Sequence, residues 1–228
     1  MPEIFFDMDN YLNPLTEAIR NAANPVEAEK HSKYLKNKFV CLGVKTPAKN
    51  DILKIHFAKF GKPEKSKMNA YVRFLYDMPE REFHHIAINL YEKIAKKLEI
   101  DDVEIIEYMI VTNSWWDSVD TVLRLHRVYF ALFPEQIRPV TERWIESDNI
   151  WLKRSALLFQ LHLRKKTDEK LLFDYIQRVH DEKEFFIQKA IGWALRQYSR
   201  ENPKSVEKFV HENNLSPLAR REALRLME

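Results

Sequence analysis

The run Asn113-Ser114-Trp115-Trp116-Asp117-Ser118-Val119-Asp120 brings two indoles and two carboxylates into one short stretch. Wound as a helix at about 100° per residue, its continuation places Trp115, Val119, Val122, Leu123, His126, Tyr129 and Phe130 on one broad apolar face. Trp116 then falls about 80°, and Asp120 about 120°, from the centre of that face. Four residues apart, their side chains lie one above the other, and Arg124 and Arg127 continue the stripe. A second off-core tryptophan, Trp193, has Lys189 four residues before it, with Arg196 three and Arg200 seven residues after. Cations of this kind meet phosphates, and an indole offers a flat surface to a sugar or base. The segment between these two helices adds Lys153 and Arg154. A blander reading of the first stripe is open as well. Trp116 would pack against a neighbouring helix and Asp120 would pair with Arg124, an i,i+4 contact worth about 0.3–0.5 kcal/mol.

The elements that must position these residues are helices throughout. Proline and Asp/Asn/Ser start signals predict helices over 25–37, 47–61, 64–76, 79–98, 101–111, 114–132, 134–145, 149–164, 167–179, 184–199, 203–211 and 216–226. A turn is predicted over 40–46. Trp116, Trp151 and Phe186 recur 35 residues apart near helix starts, and Leu158 and Trp193 share that offset. Such self-similarity predicts paired-helix repeats of the HEAT sort, at a period a little short for them, stacked into a curved solenoid. A plain helical bundle with accidental spacing is the alternative.

Composition excludes much else. The chain has 228 residues and only 3 glycines, Gly43, Gly61 and Gly192. β-rich folds need more residues that tolerate positive φ, and neither a dinucleotide turn, a phosphate loop nor a nucleophile elbow can be written with these. One cysteine, Cys41, excludes an intrachain disulfide and a multi-cysteine zinc site. The eight histidines show no metal-ligand spacing, and the adjacent His84 and His85 diverge by about 100° on a helix. No stretch approaches the ~20 apolar residues of a membrane span, and the start of the chain lacks a secretory pattern, so a cytoplasmic protein is expected. Net charge is +3 but uneven: residues 151–228 hold 16 Lys and Arg against 11 Asp and Glu, leaving 21 against 23 before them. A basic C-terminal third fits a polyanionic partner.

These residues resemble the AlkD-type DNA alkylation-repair glycosylases across nearly the whole chain. The strongest blocks are Met78-Pro79-Glu80-Arg81-Glu82-Phe83, Ser114 to Asp120, Ser147-Asp148-Asn149-Ile150-Trp151-Leu152 and Lys183 to Trp193. The resemblance implies an all-α, HEAT-like helical repeat solenoid, a single domain over 1–228, gripping double-stranded DNA in a concave face. It implies hydrolysis of the N-glycosidic bond of 3-methyladenine and 7-methylguanine type lesions, with Asp120 as the catalytic aspartate. Trp116 and Trp193 correspond to active-site tryptophans, Arg154 to a DNA-contacting arginine and Tyr34 to a tyrosine near the lesion. Further DNA contacts are expected from Thr46, Lys49, Lys153, Lys189, Arg196, Arg220 and Arg221. After Thr46-Pro47 the chain departs from the family pattern at Asn50. The resemblance also implies a lesion that stays stacked rather than flipped.

This chemistry suits the residues. A cationic purine is already a good leaving group, so stabilising an oxocarbenium-like sugar and placing a water are what remain. One carboxylate can do both, and the indole faces can contact the positively charging sugar. No lysine is marked as a nucleophile, no cofactor or metal is implied, and a monofunctional monomer is expected. The competing hypothesis is a non-catalytic HEAT-repeat module binding DNA or protein, against which Asp120, Trp116, Trp193 and Arg154 together argue.

Overall fold

The computed structural model describes residues 2–227, with side chains from residue 10 to residue 227. Among the described residues it is all-α: thirteen α-helices, no strand, and one isolated backbone bridge between Val40 and Glu80. The backbone forms two compact units, residues 1–105 and 106–228.

The first unit contains α1 (Pro2–Asn21), α2 (Pro25–Tyr34), α3 (Thr46–Phe60), α4 (Met68–Tyr76) and α5 (Arg81–Ile94). The start signals read from the sequence place no helix before Pro25, although α1 runs from Pro2 to Asn21 with Pro14 inside it. Tertiary packing overrides the proline: Leu12, Leu15 and Ile19 share one face of α1 and are fully buried. The block from Met78 to Phe83 proves to be an anchor for the loop between α2 and α3. Glu82 is buried and accepts hydrogen bonds from the backbone N–H groups of Leu42, Gly43 and Val44 at 3.0, 2.8 and 3.3 Å. Gly43 is obligatory there, with φ of 78° and with an added Cβ landing 2.3 Å from the Ala28 nitrogen. Arg81, also buried, lies over the Phe39 ring at 3.9 Å and donates to His84 Nδ1 at 3.0 Å.

The second unit begins within α6 (Val103–Val111) and continues through α7 (Trp116–Leu132), α8 (Ile137–Ile145), α9 (Ile150–Leu158), α10 (Glu169–Val179), α11 (Phe185–Tyr198), α12 (Pro203–Glu212) and α13 (Pro217–Leu224). Asn149, Asp168, Asn202 and Ser216 cap their helices through side-chain oxygens, as the start signals predict. Helix α9 ends at Leu158, six residues short of the expected Arg164. Gln160 closes the turn by accepting from the Asp168 N–H at 2.7 Å and donating to the Asp168 carbonyl at 3.2 Å.

Helices α7, α9, α11 and α13 pack in succession, and α8 lies against α9 as α12 lies against α13. The repeat shows most clearly in polar pairs between the alternate helices. Arg143 and Trp144 Nε1 both donate to Glu107, Arg178 donates to Glu142 at 2.5 Å, and Gln177 donates to Asn213 at 3.2 Å. Each of Glu107–Arg143, Glu142–Arg178 and Gln177–Asn213 spans 36 residues. Exposed pairs of this kind contribute little stability, about 0–1 kcal/mol each. They mark register, while the buried faces around Val119, Tyr129, Trp144, Leu157, Tyr175, Ile191 and Leu195 hold the unit together.

Gly192 fixes how closely α11 and α13 approach. A Cβ there would lie 2.5 Å from Glu222 Cβ and 3.0 Å from the Ala219 carbonyl oxygen. Gly192→Ala is therefore expected to destabilise the protein. The overpacking cost of about 1–3 kcal/mol exceeds the ~0.5–1 kcal/mol of helix propensity gained. Urea unfolding checks this, and an unchanged or raised midpoint would show that the helices can separate freely.

Candidate active site

The residues that converge come from three alternate helices of the second unit, α7, α9 and α11. Asn113, with φ of 47°, turns the chain out of α6, and Ser114 Oγ ties back to the Ile110 carbonyl at 2.6 Å. Trp115 is extended and caps α7, so its ring is carried to α9 and α11. Its centroid lies 5.8 Å from Trp151 and 5.0 Å from Phe186, which are 4.9 Å from each other. The aromatic cluster thus includes Trp115, which the 35-residue spacing of Trp116, Trp151 and Phe186 does not single out. Trp116 is left half-buried in the first turn of α7.

One turn further, Asp120 meets Arg154 of α9. Arg154 Nε donates to Oδ1 and Nη2 to Oδ2, both at 2.8 Å, a bidentate fork. The remaining nitrogen, Nη1, donates to the Phe186 carbonyl of α11 at 2.8 Å. The guanidinium also lies 5.9 Å from the Trp193 ring centroid. Its side chain is 5% exposed, whereas that of Asp120 is 19% exposed. Arg154 is therefore not the surface cation that its place beside Lys153 suggests. All three of its nitrogens are engaged within the protein, and it orients the carboxylate.

Burial raises the Asp120 carboxyl above its ordinary range, while the hydrogen bond and charge of Arg154 pull it back down. The fork favours the ionised form, in which both oxygens are full acceptors. Arg154 uses about half of a carboxylate's roughly four lone-pair sites, so oxygen capacity remains for a water or a positively charged centre.

The other expected contacts are placed differently. Lys153 ends on Glu182 at 2.5 Å, and both Lys189 and Arg196 end on Glu222, at 2.9 and 2.6 Å. Arg220 donates to the Val210 carbonyl at 2.8 Å, and Arg221 is exposed. Tyr34 and Thr46 are exposed and line one open pocket of the first unit with Lys30 and Lys45, and Lys49 is half-buried in α3. Sequence reasoning missed Glu182, Glu222 and the Phe186 carbonyl. The available signal was the repeat itself, since Asp120–Arg154 spans 34 residues and Lys189–Glu222 spans 33. Among the described residues no group of three His, Cys, Asp or Glu could hold a metal ion, and no helix is long and apolar enough to cross a membrane.

Comparison with known proteins identifies the family. The family model for the DNA alkylation repair enzyme matches residues 15–227. Among solved structures, a protein from Enterococcus faecalis described as a predicted DNA alkylation repair enzyme superposes with a TM-score of 0.84. It is 34% identical, and the match covers 89% of this chain and 95% of that one. No curated protein matches the chain. With nearly its whole length matched, and a carboxylate, a guanidinium and an indole assembled by consecutive repeats, the chain belongs to the DNA alkylation repair enzyme family.

Proposed function

We propose that the chain, acting as one domain and as a monomer, is a monofunctional glycosylase. It hydrolyses the N-glycosidic bond of cationic alkylated purines, 3-methyladenine and 7-methylguanine, in duplex DNA during base excision repair. The observation that carries this reading is the bidentate Asp120–Arg154 pair beside Trp193, with the carboxylate the more exposed partner. Asp120 stabilises the oxocarbenium-like sugar and accepts a hydrogen bond from the attacking water. Trp116 and Trp193 present electron-rich faces to the same sugar. Arg154 is a positioning residue that holds the carboxylate through its fork. A site that works on the sugar has no need to extrude the base, so the lesion stays stacked. A cytoplasmic location follows for such a repair enzyme. Release of free 7-methylguanine from a methylated duplex, followed by chromatography, tests the assignment. No release at enzyme excess would refute it.

The pH dependence has a definite sign. Asp120 must be ionised to act, and its carboxyl lies above its ordinary range through burial. The acid limb of the single-turnover rate is therefore expected above the ~3.9 of an unperturbed aspartate. Arg154→Met removes the group that lowers it, so the limb should move to still higher pH. Buried His126 is pushed down to about 3 and loses stability as pH falls below its ordinary ~6.5. Rates are accordingly taken only where circular dichroism shows the fold intact. A limb that Arg154→Met leaves in place would mean that a different group titrates.

A further inference from the structure

Helix α11 carries Lys189 and Arg196 on either side of Trp193, four residues before and three after. Both converge on one carboxylate of α13: Lys189 Nζ lies 2.9 Å from Glu222 Oε1, and Arg196 Nη1 lies 2.6 Å from Oε2. The carboxylate is the more buried group, 12% exposed against 37% and 23% for the two cations. It reaches them because Gly192, between them on α11, leaves no Cβ in its way. The Lys189 hydrogen bond, with Arg196 alongside, holds Glu222 below the usual carboxylate range. Lys153 is treated the same way by Glu182.

Two cationic donors converging on a pair of anionic oxygens is the arrangement that a phosphodiester, with its two non-bridging oxygens, would also satisfy. We infer that Glu222 is a built-in counter-anion, which occupies a phosphate clamp made by Lys189 and Arg196 until a DNA backbone phosphate replaces it. The inference rests on the proposed DNA substrate. Carboxylate and phosphate compete for the same donors, so the clamp contributes less to binding than two open cations would. The effect is independent of sequence and damage, because only the backbone is engaged. Its consequence is a weaker grip on undamaged duplex beside the indole that faces the reaction.

The test uses the full chain and a short undamaged duplex, followed by fluorescence anisotropy across a salt series. Glu222→Gln is expected to lower Kd about three- to tenfold at low salt and to steepen the salt dependence by about one unit. In a Lys189→Gln/Arg196→Gln background the same change should do nothing, because the donors it unmasks are gone. Glu222→Asp, which keeps the charge but withdraws it by one methylene, should fall between wild type and Gln. It carries the test if the Gln variant unfolds. Affinity that is unchanged or weakened in the folded variants, while wild type binds duplex, would overturn the inference and leave the proposed function standing. Absence of duplex binding by wild type itself would remove both.

Discussion

Asp120→Asn is expected to lower single-turnover release of 7-methylguanine by about 10²–10³ while leaving duplex binding within a few-fold of wild type, the scale of losing one preorganised electrostatic group. The substitution keeps the side-chain shape and removes the charge that a positive sugar would feel. It also disturbs the fork, since an amide nitrogen would face one guanidinium donor where a carboxylate oxygen accepted at 2.8 Å. Breaking a buried ion pair costs about 3–5 kcal/mol. Here the carboxylate reaches solvent and Arg154 keeps the Phe186 carbonyl, so about 2 kcal/mol is the expected loss. Urea unfolding separates the two effects, because a folded but inactive variant assigns the rate loss to charge. A folded Asn variant with wild-type rates would remove Asp120 from the chemistry.

The second large effect is selectivity by charge of the lesion. The Arg154 fork favours the ionised form of Asp120, which has no proton to give a departing base, and the indoles of Trp116 and Trp193 carry no acid. On the proposed reading the enzyme draws on leaving ability that the lesion already possesses, which formal positive charge on 3-methyladenine and 7-methylguanine would supply. Uracil, hypoxanthine and ethenoadenine need activation by protonation, a contribution of about 10²–10⁴ where enzymes provide it. Their release from the same duplex is expected to be slower by at least that factor. If the site acts on the sugar, as proposed, bulkier N3 or N7 adducts should be released alongside the methyl ones. Comparable excision of uracil or ethenoadenine would show that an acid and a base-reading pocket exist elsewhere.

Much of this site was legible along single helices and little of it between them. The offset of Trp116 and Asp120 from the apolar face follows from helical geometry, and Val119, Val122, Tyr129 and Phe130 are buried as that geometry requires. The partner of Asp120 was not legible, because Arg154 lies 34 residues away and i,i+4 reasoning sees only its own helix. Lys189 and Arg196 read as an open basic stripe for the same reason: the carboxylate that meets them belongs to α13. The block around Glu82 was conspicuous as a string of residues. What it does, holding three backbone N–H groups about 40 residues upstream, needed the fold.

The 36-residue polar pairs make the second unit quasi-one-dimensional, each helix pair stabilised chiefly by its immediate neighbours. Opening in such an array spreads stepwise from its margin, as a zipper does. Detaching α12 and α13 costs Gln177 and Lys189 their partners but leaves the Asp120–Arg154 fork and its Phe186 tie untouched. The Asp120 carboxylate is thus insulated by one full helix pair from fraying at the last described helices. Amide exchange should report that as a gradient of protection rising from α13 through α11 to α9.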